Sequence, residues 1–359
     1  MEDKFNSTIL PFDKISKNEW ESFIKKTNES TYFCTIDYLQ LYKNVHFLQI
    51  KNYEDHIIAG ISFRIISFIP VIGNFFKTCW LESSALVDQQ CPKSIQLNLK
   101  GQVFDQLYDF LRNQNVVYLY ITHWVRSADS EILKEKGFKV KKEATVVFDL
   151  SLEKKQFYGN FRKGCKEAYR KAIRKEVVFK VFEGGEAYPY LKEFVNLRKE
   201  TQSNAIKRNY NASIMLKSED FVKNIIFGKG HKTYLAITFY KNKMTYAALC
   251  VSTNDTVYAY IAGSDIILNR ESGAANFLYY QMILFCKENG YKVFDFGGTQ
   301  INPAKDHPAY GVYAFKNSFG GNLKIYDGGF LLIRKIRGKI LNKIINDRGI
   351  VRFIYKLFN

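Results

Sequence analysis

The chain has 359 residues, 47% hydrophobic and 25% charged. That is ordinary globular material, of a length suited to two domains. Lys and Arg number 53 against 35 Asp and Glu, a net charge of +18, which favours polyanionic partners such as RNA, nucleotide diphosphates or an anionic membrane face. A lysine-rich composition with solvated side chains accounts for part of that excess. Six cysteines with no C-x-x-C pair, most in apolar segments, argue against zinc and for free thiols in a reducing compartment.

In chain order, the opening Met-Glu-Asp-Lys-Phe-Asn lacks the apolar core of a signal peptide, and the expectation is a cytoplasmic chain. A helix begins near Ser16, with Glu19 at capping-box spacing and Trp20, Phe23 and Ile24 as its apolar stripe. Two or three strands follow between 47 and 82. The apolar run Ile57 to Phe76 contains Arg64 near its middle and the turn signal Pro70…Gly73-Asn74. A central arginine costs a spanning helix about 2.5–3.5 kcal/mol, so the run reads as a hairpin. Phe104, Leu107, Tyr108 and Leu111 recur at helical spacing. The strand Val116–Ile121, a helix ending at Lys136-Gly137-Phe138 and the strand Thr145–Leu150 complete a unit spanning 1–150.

Residues Lys154 to Lys175 carry nine Lys/Arg and one acid, with Arg162, Lys166, Arg170 and Arg174 on one helical face. The face fits either a phosphate-tracking surface or the solvated side of an interdomain helix. A second unit, 151–330, repeats the order of the first. A shift of 175 positions lays Phe104, Leu107, Tyr108, Phe110 and Leu111 on Tyr279, Met282, Ile283, Phe285 and Cys286, each set followed by a strand. Two copies of a mixed sheet with packed helices follow from this. The tail, 331–359, has eight Lys/Arg against Asp347 among apolar residues at helical spacing. It suits a membrane surface or an acidic partner, or docking on the second domain.

The most site-like stretch is Phe294-Asp-Phe-Gly-Gly298 followed by Phe315-Lys316 and Gly320-Gly321. Glycines admit close backbone approach, and a lysine among them can hold an anion or a developing oxyanion. Asp295 fits a proton acceptor or lysine orienter, or a cap on the Gly297-Gly298 turn. Tyr258 and Tyr260 alternate along a strand, where packing is the default. Arg270-Glu-Ser-Gly273-Ala-Ala275 sits between that strand and a helix. It matches the loop by which CoA-dependent N-acyltransferases cradle a pyrophosphate on a helix N-terminus. Phosphate-binding P-loop, dinucleotide, serine-hydrolase and zinc-protease motifs are absent.

From Phe161 to Gly328 the chain resembles the FemABX family of aminoacyltransferases, the non-ribosomal peptidyltransferases that build peptidoglycan bridges. The matching pieces are Phe161-Arg-Lys…Tyr169-Arg-Lys-Ala-Ile-Arg174, Tyr258-Ala-Tyr-Ile-Ala-Gly-Ser264, Phe294-Asp-Phe-Gly-Gly298 and Phe315-Lys316…Phe319-Gly-Gly321. The first half matches more faintly, through Leu133-Lys-Glu-Lys-Gly-Phe138. The resemblance implies an α/β fold of two tandem N-acetyltransferase-like (GNAT-like) domains without a coiled-coil insertion. It implies aminoacyl transfer from charged tRNA to an amine of an envelope precursor bearing a diphosphate, with no cofactor, at the inner membrane face. By motif, Lys316 corresponds to the lysine at the tRNA end and the oxyanion, Tyr258 and Tyr260 to aromatics beside the acceptor peptide, and Arg208 to the diphosphate-binding arginine. The alternative is an acyl-CoA-dependent N-acyltransferase acting on an envelope sugar, with Arg270 and Gly273 at acetyl-CoA or another acyl-CoA.

Overall fold

The computed structural model describes residues 5–67, 76–122, 125–126, 129–207 and 218–346. In chain order the elements are β1 (Asn6–Pro11), α1 (Lys17–Lys25), α2 (Ile36–Leu39), β2 (Val45–Lys51), β3 (Ile57–Ser67), β4 (Lys77–Leu81), β5 (Leu86–Val87), α3 (Lys93–Asn113), β6 (Val116–Ile121), α4 (Ser130–Glu135) and β7 (Lys139–Asp149). Next come α5 (Lys154–Asn160), α6 (Lys163–Arg174), β8 (Val178–Glu183), α7 (Leu191–Lys207), α8 (Glu219–Ile226), β9 (Thr233–Tyr240), β10 (Lys243–Thr253) and β11 (Thr256–Ser264). The last are α9 (Ile266–Ser272), α10 (Ala274–Glu288), β12 (Val293–Thr299), α11 (Tyr310–Asn317), β13 (Asn322–Leu332) and α12 (Lys335–Asn346). The chain divides into two compact units: 1–142 with 326–359, and 143–325.

In the first unit the strands run in the order β1-β2-β3-β4-β6-β13. β4 and β6 are parallel, with α3 as the crossover. The last residues of β13 lie antiparallel to β6, Gly329 opposite Ile121 and Leu332 opposite Tyr118. The α1 cap is as the sequence indicates: Glu19 N–H donates to Ser16 Oγ at 3.4 Å, and Trp20, Phe23 and Ile24 are buried. Leu99, Val103, Leu107 and Leu111 pack one face of α3 into a core with Phe63, Leu81 and Leu119. β3 and β4 pair antiparallel, as expected of a hairpin. Its turn falls outside the described residues. Among the described residues no helix is long and apolar enough to cross a membrane.

In the second unit the order is β7-β12-β11-β10-β9-β8. β11 and β12 are parallel and α10 is the crossover. Leu278, Met282, Ile283 and Cys286 of α10 pack against Val257, Ala259, Phe294 and Phe296. The repeat read from the 175-residue shift thus appears as α3–β6 and α10–β12.

Three features differ from the sequence reading. β7 is one strand from Lys139 to Asp149, and the first boundary falls inside it at 142/143, not at 150. Residues from 326 to the end of α12 group with the first unit. There Leu341 of α12 is buried against Phe76, Val117 and Tyr118, because hydrophobic burial favours docking an apolar stripe on a sheet. Ile336 and Ile340 of the same helix stay exposed. Finally, Gly297 and Gly298 lie within β12, not after it.

Candidate active site

β11 and β12 pair only at Thr256–Val293, Val257–Phe294 and Tyr258–Asp295. Beyond these, β11 continues to Ser264 and β12 to Thr299 without pairing to each other, so the two strands part. Val257, Ala259, Phe294 and Phe296 face the core shared with α10. By the two-residue period of a strand, Tyr258, Tyr260 and Asp295 lie on the opposite face. Tyr258 is buried and Tyr260 half-buried, so only Tyr260 offers much surface to a ligand.

The register between β12 and β7 shifts between Asp295 and Gly298, which is a bulge. Gly297 takes a φ of +77° there, a left-handed conformation that glycine adopts without steric cost. The Asp295 carboxylate, 3% exposed, fixes the bulge. Its Oδ1 accepts the Gly297 N–H at 2.7 Å and the hydroxyl of Thr145 on β7. Of the roles open to Asp295 in the sequence, the bonds seen here are those of a turn cap. A proton acceptor in direct reach of substrate would need more exposure than this.

Lys316 lies in the last turn of α11. Gly311, Val312 and three aromatics give this helix weak local propensity. Contacts on both sides hold it: Phe315 packs on Tyr279 and Phe319 with ring centroids 5.6 and 5.4 Å away. Phe315, half-buried, thus packs against the core of this unit. The half-buried Lys316 ammonium donates to Gly298 O at 2.8 Å. The segment is pinned further by Gly320, at φ +75°, where a Cβ would come 2.3 Å from Asn160 O. Arg162 N–H closes the joint onto Ser318 O at 2.8 Å. Lys316, Gly298, Gly297 and Asp295 thus form one connected cluster, the part of the sequence-derived site that the fold brings together.

The Arg270–Ala275 loop is placed differently. Gly273, at φ +75°, links α9 to α10, and a Cβ there would lie 2.3 Å from Ala168 O of α6. The Ala275 N–H donates to Asn269 Oδ1 at 2.8 Å, and the Ala274 N–H to Ser272 Oγ at 3.3 Å. The amides that would cradle a pyrophosphate are thus satisfied by the chain's own side chains and roofed by α6. Arg270 is exposed, and its carbonyl accepts from Lys171 Nζ at 2.7 Å. Arg208 lies outside the described residues.

Sequence reasoning missed Thr145 and Arg198, and it missed the partners of Arg64. Thr145 is separated from Asp295 by 150 positions, and only the pairing of β7 with β12 joins them. Arg198 on α7 is half-buried and donates to Ala262 O of β11 at 3.4 Å. Burial pushes its pKa down. In the first unit Arg64 pairs with the buried Glu82 and stacks over Tyr42, 3.8 Å from its ring centre. An arginine in an apolar strand is itself the signal here, since a buried guanidinium demands a carboxylate. Among the described residues no cluster of three potential metal ligands occurs.

Residues 229–342, which include Asp295 and Lys316, match the model of the FemAB family. A lipid II:glycine glycyltransferase of Staphylococcus haemolyticus (strain JCSC1435) is 37% identical over 84 residues, 23% of this chain and 20% of that protein. Its counterpart in Staphylococcus aureus (strain USA300) is 33% identical over a stretch of the same length. The chain thus spans about a fifth of the length of the curated relatives it matches. A crystal structure of FemX superposes with a TM-score of 0.66 at 14% identity, over 95% of this chain and 100% of that one. A tandem GNAT protein from the clavulanic acid biosynthesis pathway gives 0.55 at 8% identity, over 91% and 99%. The C-terminal domain of a putative lysylphosphatidylglycerol synthetase from Agrobacterium fabrum gives 0.56 at 13%, over 91% and 94%. The fold is that of two tandem GNAT-like domains, and within it the segment that carries Asp295 and Lys316 is similar to the FemAB family.

Proposed function

We propose that the chain is an aminoacyltransferase that moves an aminoacyl group from charged tRNA to an amine of a peptidoglycan-type precursor. The observation that carries the reading is the Lys316 ammonium, held on Gly298 O at 2.8 Å by a bulge that Asp295 fixes. It lies inside the region that matches the FemAB family, and the relatives similar over 84 residues are named for glycyl transfer to lipid II.

The chemistry asks little of the protein. The amine nitrogen bonds to the ester carbonyl carbon, the carbon–oxygen bond to the ribose breaks, and the proton released by the amine ends on the ribose oxygen. The ester is already activated, so alignment and positive charge on the oxyanion suffice. Alignment contributes roughly 7–11 kcal/mol and a single oxyanion donor roughly 2.7–4 kcal/mol. Lys316 supplies that charge, Asp295 positions it through the Gly297–Gly298 bulge, and Tyr260 borders the acceptor. The precursor diphosphate and the anionic membrane surface draw on the net charge of +18 and on the exposed Ile336 and Ile340 of α12.

The test is incubation of the purified protein with a pool of radiolabelled aminoacyl-tRNAs, and separately with acetyl-CoA, in the presence of lipid II or its soluble nucleotide precursor. Label passing from tRNA to precursor is expected. Transfer from acetyl-CoA alone would replace this reading with the acyl-CoA one, against the filled α10 N-terminus.

A further inference from the structure

The basic face of α6 starts at the Lys316 segment. Arg162, the residue capping α6, bonds through its N–H to Ser318 O, two residues from Lys316. From there Arg162, Lys166, Arg170 and Arg174 follow at four-residue intervals along a helix, a stripe about 18 Å long at 1.5 Å per residue. Arg162, Arg170 and Arg174 are exposed. Among the described residues no carboxylate pairs with them, although Lys163 beside them stands 4.0 Å from Glu167. Lys166 and Arg170 rest 5.6 and 5.9 Å from the centre of the Tyr158 ring, so two of the four cations are held near an aromatic surface. Cys165 and Ala172 on the other side are buried, which fixes the face that the charges present.

We infer that this face of α6 is the track for the RNA backbone of the donor, leading its reactive end to Lys316. The inference rests on the tRNA-dependent reading above and names the surface that reading leaves open. Unpaired guanidiniums at regular spacing suit a row of phosphates. A membrane surface is the poorer match. A helix lying in a bilayer interface needs an exposed apolar side, and the apolar side of α6 is spent on the protein core, with Ile173 its one exposed large apolar residue.

The full chain is titrated, by fluorescence anisotropy over a series of KCl concentrations, into a synthetic RNA stem–loop with a single-stranded 3′ end. The triple variant R162Q/R170Q/R174Q is compared with K335Q/K339Q/K343Q, which removes the same charge from exposed positions on α12. The α6 variant is expected to bind about tenfold or more weakly and to lose about 2–3 from the slope of log K against log [salt]. The α12 variant should keep most of both. Arg174→Gln alone, should the triple variant melt early, is expected to lower the slope by about 0.7–0.9.

Equal RNA binding by the α6 variant and the wild type overturns the inference. So does loss of binding to phosphatidylglycerol vesicles with RNA binding intact, which would make the face a membrane contact. Unchanged RNA binding together with intact aminoacyl transfer sinks the track and leaves the proposed reaction standing. A wild type that binds the stem–loop through α6 but transfers no aminoacyl label sinks the reaction instead.

Discussion

Lys316 donates from Nζ to the main-chain oxygen of Gly298 at 2.8 Å, so the place of the ammonium is set by a strand bulge and not by its own flexible stem. A four-carbon side chain carries about 2 kcal/mol of rotamer entropy. A fixed acceptor beside it reduces what remains to be lost when an oxyanion forms.

Replacing Lys316 with Met keeps the stem and removes the charge. Transfer is expected to fall at least a hundredfold, with the melting temperature within a few degrees of wild type. Steady-state transfer beside a thermal melt checks both. Near-normal turnover would take Lys316 out of the reaction.

Asp295→Asn and Asp295→Ala separate positioning from proton transfer. The amide of Asn still accepts from Gly297 N–H and Thr145, so Asp295→Asn should cost transfer less than tenfold. Asp295→Ala strands two buried donors and should cost about 2–3 kcal/mol in urea unfolding, with a larger loss of turnover. A folded Asp295→Asn as inactive as Lys316→Met would instead make the carboxylate a base.

Gly273→Ala tests the packed joint between α6 and α10. The backbone is left-handed there and a Cβ meets Ala168 O at 2.3 Å, so a loss of about 2–4 kcal/mol is expected. Gly164→Ala, where nothing lies within 4 Å, should stabilise α6 by up to about 1 kcal/mol. Paired urea titrations read the contrast. Equal effects would mean that the joint yields.

Five of the six cysteines are buried and Cys91 is not. Burial drives the Cys34 and Cys250 thiols up to about 12. Cys91 is raised too, by partial burial and then by Asp88. The thiolate is the reactive form, so a raised pKa means little reaction near neutrality and a rate that climbs about tenfold per pH unit below it. Native protein with a chromogenic disulfide should therefore titrate one thiol, faster as pH rises, and six in denaturant. Two or more fast thiols at neutral pH would contradict the buried positions.

Local patterns were readable wherever one short segment decides its own fate. The Ser16 cap, the stripe Trp20-Phe23-Ile24, the β6 strand and the α10 face all follow from spacing alone. So did the pairing of a carboxylate with two glycines before Lys316. The helix under Lys316 was not readable, because Phe315 and Phe319 hold it against Tyr279, a contact that propensity does not carry. The partner of Asp295 on β7 and the filled N-terminus of α10 were hidden for a similar reason. One depends on strand pairing across 150 positions and the other on side-chain geometry within a loop that matches a motif.

On the side away from β4, β6 is flanked by β13, which is made only after the whole of the second unit. The amino-terminal half therefore leaves the ribosome with an uncovered edge, and it stays so while the whole of the other half is translated. An exposed edge invites association with other chains. Loss of β13 would then be felt first by strands made long before it, as failure to close their sheet.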